Sequence, residues 1–124
     1  MSRRLLLVDD DEDIRTIARL TLERLGGWTV SDAASGELAL DIAMTAGPFD
    51  AILLDVMMPG LDGPATLARL RERPLSAGTP VVFLTAKAQR AERERLEALG
   101  AAGTVAKPFD PLTLSDEIDR ILTR

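Results

Sequence analysis

Three short runs of consecutive apolar residues constrain the fold of this chain more than any other feature. They cover residues 5–8, 51–54 and 81–84, and a polar residue follows each run at once. Such runs are typical of strands buried on both faces, which occur in parallel sheets covered by helices. Segments with apolar residues at helical spacing separate the runs. The pattern therefore predicts an α/β fold, with right-handed crossovers and helices on both faces of a parallel sheet.

Two weaker strand patterns, at residues 28–31 and 104–106, complete an alternation of strand and helix that repeats five times. The predicted helices begin near Asp11, Ser35, Asp62, Ala88 and Asp110, and they end near Gly26, Gly47, Pro74, Gly100 and Leu122. Helical spacing predicts one inner face for the first helix, made of Ile14, Ile17, Ala18, Thr21, Leu22 and Leu25. The second helix carries Leu38, Leu40, Ile42 and Ala43. The fourth helix is rich in Arg and Glu, so we expect it to be the most solvated one.

The residue types that are missing narrow the chemistry of any functional site. The chain has 124 residues, enough for one domain with a core, and it contains neither cysteine nor histidine. Disulfides, thiolate metal sites and the usual zinc ligand are therefore excluded. Any metal must bind to oxygen, which favours magnesium, calcium or manganese. The net charge of -5 argues against direct binding of nucleic acid or of an anionic membrane.

The organisation of the chain indicates a single cytoplasmic domain. Residues 1–124 contain no internal repeat, low-complexity segment or linker, so we expect one domain without an effector domain. Met1 lies just ahead of the first strand, as expected for a natural start. The apolar residues between the N-terminus and Asp9 are too few for a signal peptide or a membrane span.

Four of the predicted strands end in side chains suited to phosphate chemistry, which are Asp9 with Asp10, Asp55, Thr85 and Lys107. In an open α/β sheet the carboxyl ends of parallel strands lie at one edge, so these groups are expected to converge. Three carboxylates at close range repel one another, and a divalent cation relieves the repulsion. Since Mg²⁺ prefers octahedral oxygen ligands and commonly contacts phosphate, the cluster predicts a magnesium site.

A carboxylate beside Mg²⁺, a hydroxyl and a lysine is equipped to accept a phosphoryl group. Asp55 would attack, Lys107 and the metal would neutralise charge, and Thr85 would hydrogen-bond a phosphoryl oxygen. Each residue also has a structural interpretation. Thr85 alone is more often a turn former at a strand end, and Lys107 a solvated loop charge. Asp11 and Asp13 suit the first turn of a helix, where the dipole favours acids, better than they suit metal ligation.

Four motifs in order make the chain resemble the receiver domains of bacterial two-component response regulators, from Arg4 to about Leu122. The motifs are Val8-Asp9-Asp10, Leu54-Asp55-Val56-Met57-Met58-Pro59-Gly60-Leu61-Asp62-Gly63, Leu84-Thr85-Ala86 and Lys107-Pro108-Phe109. One of them alone would be weak, but all four at this chain length are highly specific. The resemblance implies a flavodoxin-like, doubly wound (βα)5 fold whose five-stranded parallel sheet has the order 2-1-3-4-5.

The resemblance also implies a role for each site residue. Asp55 is implied to take a phosphoryl group from a histidine kinase or a histidine phosphotransfer protein, and Thr85 and Lys107 to hold the phosphoryl oxygens. Asp10 is implied to contact Mg²⁺ directly and Asp9 to do so through water. Asp55 and the backbone carbonyl of Met57 complete the implied protein ligands. The peptide bond between Lys107 and Pro108 is implied to be cis.

The implied output is a switch rather than turnover of a separate substrate. Phosphorylation is implied to alter the surface of the fourth helix, fifth strand and fifth helix, which then binds a downstream effector protein or domain. The implied self-catalysis covers phosphoryl transfer to Asp55 and slow autodephosphorylation. The implied assembly is a monomer or a phosphorylation-linked dimer.

One position departs from the family pattern, and two positions beside the site are implied to tune its chemistry. The family often has an aromatic residue in the final strand, two positions after a glycine, which swings inward on activation. Thr104, directly after Gly103, stands at that place, so the aromatic part of the switch is missing. Met57 and Lys87, two positions after Asp55 and Thr85, flank the site and are implied to tune the lifetime of the phosphoryl group.

Two other functions are open on the sequence. A phosphorylation-independent interaction module would share the fold, but it has no physical reason to keep a repulsive cluster of acids. A magnesium phosphatase with a covalent aspartyl phosphate usually needs a second acid near the nucleophile and a cap over the substrate. The chain has no room for a cap.

Overall fold

The computed structural model describes residues 3–124 and places a parallel sheet between two layers of helices. The strands are β1 Arg3–Val8, β2 Trp28–Ala33, β3 Ala51–Asp55, β4 Val81–Thr85 and β5 Gly103–Ala106. The helices are α1 Glu12–Gly26, α2 Gly36–Ala46, α3 Gly63–Arg71, α4 Arg90–Ala98 and α5 Leu114–Leu122. The sheet order is β2-β1-β3-β4-β5, and all neighbouring strands are parallel. The predicted fold class and strand order are therefore confirmed.

The sheet separates two hydrophobic cores. Helices α1 and α5 cover one face, and α2, α3 and α4 cover the other. Within β1, Leu5 and Leu7 belong to the first core, Leu6 and Val8 to the second, and all four are fully buried. Because successive side chains of a strand point to opposite faces, a strand covered on both sides needs an apolar residue at every position. This requirement explains the uninterrupted apolar runs.

Side-chain caps set the starts of the first three helices, as the sequence predicts. The Asp11 carboxylate accepts hydrogen bonds from the N–H groups of Asp13 and Ile14, so its structural interpretation is confirmed. Ser35 caps α2, and Asp62 caps α3. Each cap satisfies a helix N–H that has no partner inside the helix. Among residues 3–124, none of the helices has the length and apolar character needed to span a bilayer.

Part of the predicted inner face of α1 and α2 was wrong. Ile17 and Leu25 are 45% and 59% exposed, whereas Ala18 and Leu22 of the same predicted face are fully buried. Leu38 is 44% exposed, and the neighbouring Ala39 occupies the core instead. Apolar residues spread around these helices more widely than the stripe that the sheet covers, and small alanines let the helices approach the strands closely. Helical spacing therefore found buried positions in both helices, but it made the predicted stripe too wide.

Several predicted boundaries also differ from the structure, among them those of α5 and β2. Helix α5 begins at Leu114 rather than at Asp110, because the Asp110 carboxylate accepts a hydrogen bond from the Leu112 N–H at 2.9 Å and forms a turn. Such local bonds compete with helix formation, and a residue before proline disfavours the helical conformation. Strand β2 continues to Ala33 because its last residues pair with the end of β1.

Helix α4 is the most solvated helix, as predicted, although it begins at Arg90 rather than at Ala88. Its one buried residue is Leu96, while Leu99 is 49% exposed. The N-cap residue Gln89 makes no capping hydrogen bond with its side chain. The helix is therefore attached to the rest of the domain through a single buried side chain.

Trp28 lies at the amino-terminal edge of the sheet, where β2 starts. Its side chain is 3% exposed, and the guanidinium carbon of Arg3 lies 3.9 Å from the ring centroid. Arg3 also forms an ion pair with Asp119 of α5, at 2.6 Å between Nη1 and Oδ1. These contacts join β1, β2 and α5 at the edge opposite to the one where the strands end.

Candidate functional site

Strand β3 carries Asp55 to the carboxyl edge of the sheet as its last residue, where it is only 4% exposed. The following loop turns back sharply, and the Gly63 N–H donates to the Val56 carbonyl at 2.9 Å. A Cβ on Gly63 would come within 2.8 Å of the Val56 Cα and 2.9 Å of the Phe83 ring. This approach requires glycine, which lets α3 pack directly behind the Asp55 loop.

Three carboxylates meet at this edge, as predicted. Asp9, Asp10 and Asp55 each offer one oxygen, and the three oxygens lie within 4.8 Å of one another. Asp9 is fully buried and Asp10 is exposed. Val8, at the end of β1, is in register with Leu54 of β3, so the residues that follow these positions emerge side by side.

Lys107 completes the cluster from the end of β5. Its Nζ lies 2.8 Å from Asp9 Oδ2 and 3.2 Å from Asp55 Oδ1. The Lys107 N–H donates to the Thr85 carbonyl at 2.8 Å, which ties the residue to the end of β4. The peptide bond between Lys107 and Pro108 is cis, as the resemblance implies. The solvated-charge interpretation of Lys107 is therefore wrong, because its ammonium joins two of the acids.

The single ammonium of Lys107 does not balance the negative charge of the three carboxylates. Burial, and then the negative charge of Asp9, raise the pKa of Asp55 to about 6, although Lys107 and a Met57 backbone hydrogen bond oppose this. Burial opposes the charged form of Lys107, yet its hydrogen bond to Asp9 and the nearby carboxylates raise its pKa above the usual value. The site therefore attracts further positive charge.

The donor atoms at this edge fit a hard divalent cation. Asp9 Oδ2 is buried and lies 2.8 Å from the Lys107 ammonium, which also contacts Asp55. Three carboxylates that share one ammonium keep free oxygen lone pairs, which can accept a metal or a metal-bound water. The same loop carries Met57, two positions after Asp55, and the Met57 side chain is 76% exposed.

Thr85 lies beside the cluster, but its hydroxyl is engaged with the following turn. The Thr85 Oγ1 accepts a hydrogen bond from the Lys87 N–H at 3.0 Å and donates to the Lys87 carbonyl at 3.3 Å. The residue is 3% exposed and pairs with Ala106, next to Lys107. Its interpretation as a turn former is therefore confirmed, and a contact with a phosphoryl oxygen stays a prediction.

Comparison with known proteins identifies the family. The model of the response regulator receiver domain matches residues 5–119. The chain belongs to the response regulator receiver family. The receiver is 40% identical over all 124 of its residues to the alkaline phosphatase synthesis transcriptional regulatory protein PhoP of Bacillus subtilis, half of whose length it covers. The chain thus spans about half the length of the curated relatives it matches.

Solved structures agree with this assignment. The chemotaxis protein CheY4 of Vibrio cholerae superposes with a TM-score of 0.90 at 33% identity, over 98% of this chain and 99% of that one. The receiver domain of the sensor histidine kinase PA1611 from Pseudomonas aeruginosa gives 0.86 at 30% identity, with both chains fully covered. That structure has a magnesium ion coordinated in its active-site cleft.

Thr104 lies in β5 of this receiver, half-buried at the place where the family often has an aromatic residue. The preceding Gly103 packs against α5, since a Cβ there would come within 2.7 Å of Ile121 Cγ2. A small residue at position 104 leaves no ring to move between an outward and an inward position.

Arg15 contacts the site, although no sequence pattern singles it out among the arginines. Its Nη1 donates to the main-chain carbonyl of Asp9 at 2.9 Å. The contact joins a side chain of α1 to the loop ahead of that helix, so it depends on how the loop folds. Helical spacing and charge patterns do not detect such a contact.

Proposed function

We propose that this receiver accepts a phosphoryl group on Asp55 from a phosphohistidine of a histidine kinase or phosphotransfer protein, with Mg²⁺ bound. One observation carries the proposal: the buried Asp55 carboxylate lies 3.2 Å from Lys107 and beside two further acids. A structural ion pair needs one acid for one lysine, whereas a phosphoryl cradle needs a nucleophile, a cation and metal ligands together.

Asp10, Asp55 and the Met57 carbonyl would hold Mg²⁺ directly, and Asp9 would hold it through water. When bound, the ion supplies positive charge that offsets the charge of the carboxylates and of the phosphoryl oxygens. The chain's own contribution is placement. Strand β3 and the Gly63 turn hold Asp55 in position. Asp9 and Asp10 follow the end of β1, which pairs with β3, and lie next to Asp55.

Asp55 acts as the nucleophile in its ionised form. One carboxylate oxygen bonds to phosphorus, the N–P bond of the phosphohistidine breaks, and the imidazole leaves with the bonding electron pair. Lys107 favours the ionised carboxylate beforehand and binds a phosphoryl oxygen afterwards. The domain thus catalyses its own modification, and slow attack of water on the acyl phosphate returns Asp55 to its initial state.

The signal leaves the site through Thr85. Its hydroxyl bonds the Lys87 peptide in this structure, and a phosphoryl oxygen on Asp55 is the competing partner. Exchange of that bond releases the turn ahead of α4 and biases the surface of α4, β5 and α5, to which a downstream effector binds in the cytoplasm. The receiver then works as a monomer or as a phosphorylation-linked dimer.

Mass spectrometry after incubation with Mg²⁺ and a small phosphoryl donor such as acetyl phosphate tests the proposal. We expect the wild-type protein to gain one phosphoryl group, Asp55→Asn to gain none, and the control Asp41→Asn, which alters an exposed acid of α2, to behave as the wild type. Labelling of Asp55→Asn to the wild-type level would overturn the assignment of Asp55.

The interaction module without phosphorylation is not favoured, because the chain keeps the acids, the lysine and the threonine at one edge. Beryllofluoride with Mg²⁺ separates the two functions. We expect amide NMR signals of α4 and β5 to shift in the wild-type protein and to stay unchanged in Asp55→Asn. An interaction module would show no shift in either protein.

A further inference from the structure

Asp9 is held by contacts from three directions, two of them to its main chain. Its N–H donates to the Ala33 carbonyl at 3.1 Å, and its Oδ1 accepts from the Asp11 N–H at 2.9 Å. Its carbonyl lies just beyond the end of β1, where Arg15 Nη1 donates to it at 2.9 Å. Of these three contacts, the one from Arg15 is donated by a cationic side chain. Charge-assisted hydrogen bonds of this kind are stronger than those between neutral groups.

Arg15 is itself fixed from the other side. Its Nε lies 3.6 Å from Asp32 Oδ2 near the end of β2, and its side chain is 18% exposed. The second oxygen of Asp32 lies 3.4 Å from Nη1 of Arg19. A planar guanidinium with several donors can contact the acid of β2 and the carbonyl of Asp9 at once, whereas a lysine ammonium lacks that fork. Arg15 therefore bridges the ends of β1 and β2.

The position of this bridge has a consequence for the acidic cluster. Asp9 and Asp10 follow β1 directly and repel Asp55, so a loose loop would move the acids apart. Lys107 offsets part of this repulsion, and a held carbonyl at Asp9 fixes the loop that carries both acids before a metal binds. The positive charge of Arg15 acts oppositely, since a nearby cation weakens the attraction of the site for a metal. Loss of the contact with Asp9 should weaken Mg²⁺ binding, whereas loss of the positive charge should strengthen it. Substitutions of Arg15 can therefore separate the two effects.

We propose that Arg15 is a positioning residue, which holds the Asp9 peptide so that the acids form a preorganised Mg²⁺ site. The inference rests on the proposed function and adds a residue that touches neither metal nor phosphoryl group. Groups that orient metal ligands typically change metal affinity by about 10- to 100-fold. Arg15 acts on the backbone of one ligand residue, so its expected effect is at the lower limit, about tenfold.

Mg²⁺ titration of Arg15→Lys and Arg15→Gln, followed by amide NMR shifts, tests the proposal. We expect both variants to bind Mg²⁺ about tenfold more weakly, because both lose the fork that joins Asp32 to the Asp9 carbonyl. If Arg15 acts through its charge alone, Arg15→Gln binds Mg²⁺ more tightly and Arg15→Lys binds like the wild-type protein. That result would overturn the proposal.

Arg19→Gln is the matched control. It removes the same charge from the same helix, and the Arg19 side chain contacts Asp32, as Arg15 does, together with Glu23. We expect its Mg²⁺ affinity to stay within about twofold of the wild-type value, since it leaves the Asp9 carbonyl in place. An equal loss in Arg19→Gln and Arg15→Gln would show that Asp32, rather than the Asp9 peptide, is responsible.

Phosphorylation kinetics provide a second readout. We expect the Mg²⁺ concentration for half-maximal labelling to rise about tenfold in Arg15→Lys, while the rate at saturating Mg²⁺ stays within about twofold. A lower saturating rate with unchanged Mg²⁺ dependence would contradict a positioning role. If the wild-type protein neither binds Mg²⁺ nor becomes labelled, the proposed function fails as well; if it does both and the Arg15 variants match it, this inference alone fails.

Discussion

Asp55 must be ionised to act as a nucleophile, whereas its surroundings favour the neutral carboxyl group. Burial and Asp9 raise its pKa to about 6, and Lys107 restores part of the preference for the anion. A carboxylate held in this way is reactive towards an electrophile such as phosphorus, because burial removes the water that would otherwise solvate it. The same arrangement makes the folded domain less stable when Asp55 ionises without a metal.

Asp55→Asn should therefore stabilise the metal-free domain in a pH-dependent manner. The folded pKa of Asp55 lies above its ordinary value of 3.8, so ionisation is unfavourable in the folded state, and the stability of the wild-type protein falls as pH rises through about 6. We expect the variant to gain about 1–2 kcal/mol at pH 7.5, less than the whole pKa shift converts to, because the neutral amide also gives up the ion pair with Lys107.

Urea unfolding in EDTA at several pH values measures this gain. The advantage of Asp55→Asn should shrink as pH falls from about 6 to 3.8, and it should vanish below 3.8, where the carboxyl group is neutral in both states. Asp41→Asn, at an exposed position of α2, serves as the control and should show no such trend. A gain that is constant with pH would point to packing rather than to ionisation.

Sequence reasoning located the site residues better than it described their bonds. Strand ends are predictable, because a polar residue stops each apolar run. The parallel pairing of the strands then brings these polar residues to one edge of the sheet. Asp9, Asp10, Asp55 and Lys107 meet for this reason. The hydroxyl of Thr85 and the guanidinium of Arg15 bond to backbone groups, and no residue pattern encodes which backbone group lies within reach.

At the scale of elements, the helices differ in how firmly they are attached. Helix α4 buries Leu96 alone and carries surface ion pairs such as Arg90 with Glu94, at 2.8 Å. Exposed pairs of this kind contribute at most about 1 kcal/mol and often nothing. Helix α1 buries several residues and has a side-chain cap. An element that is weakly attached and adjacent to the Thr85 turn suits a switch, since little free energy is needed to move it.

Hydrogen exchange should show this difference between helices. We expect the α4 amides to exchange through local opening at a lower free energy than those of α1, because one side chain anchors α4. Leu96→Ala should destabilise α4 by about 2–4 kcal/mol, since Leu96 is fully buried. Leu99→Ala, at a position that is 49% exposed, should change stability by less than about 1 kcal/mol. Equal effects of the two substitutions would contradict this view of α4.

The helix faces were the part of the elements that the sequence predicted least well. The strands were correct because their apolar runs leave no choice of face, whereas a helix with apolar residues on several sides can rotate. Leu38 and Ala39 illustrate this, since the smaller residue lies in the core and the larger one on the surface. Close contact between a helix and a sheet favours small residues, and hydrophobicity scales do not include that preference.

For the whole molecule, the three acids link metal binding to folding. A ligand that binds only the folded state stabilises it, by about 2.7 kcal/mol at a free concentration of one hundred times its Kd. We expect Mg²⁺ to raise the Tm of the wild-type domain at neutral pH, and to raise that of Asp10→Asn much less. Differential scanning fluorimetry with and without Mg²⁺, using Asp41→Asn as control, measures the effect. Equal stabilisation of wild type and Asp10→Asn would place the metal elsewhere.

Trp28, whose ring stacks on Arg3, is a fluorescent probe of one end of the sheet only. Trp28 is the one tryptophan of the chain, and it lies at the start of β2, while the acids lie beyond the strand's other end. Six residues of strand separate the two ends, about 20 Å at the usual rise per residue. Its intrinsic emission should therefore report loss of the Arg3 contact during unfolding and remain nearly silent when a cation enters the far edge. A fluorescence titration that shows no change is for this reason compatible with full occupancy, and a probe attached near α4 is the better sensor.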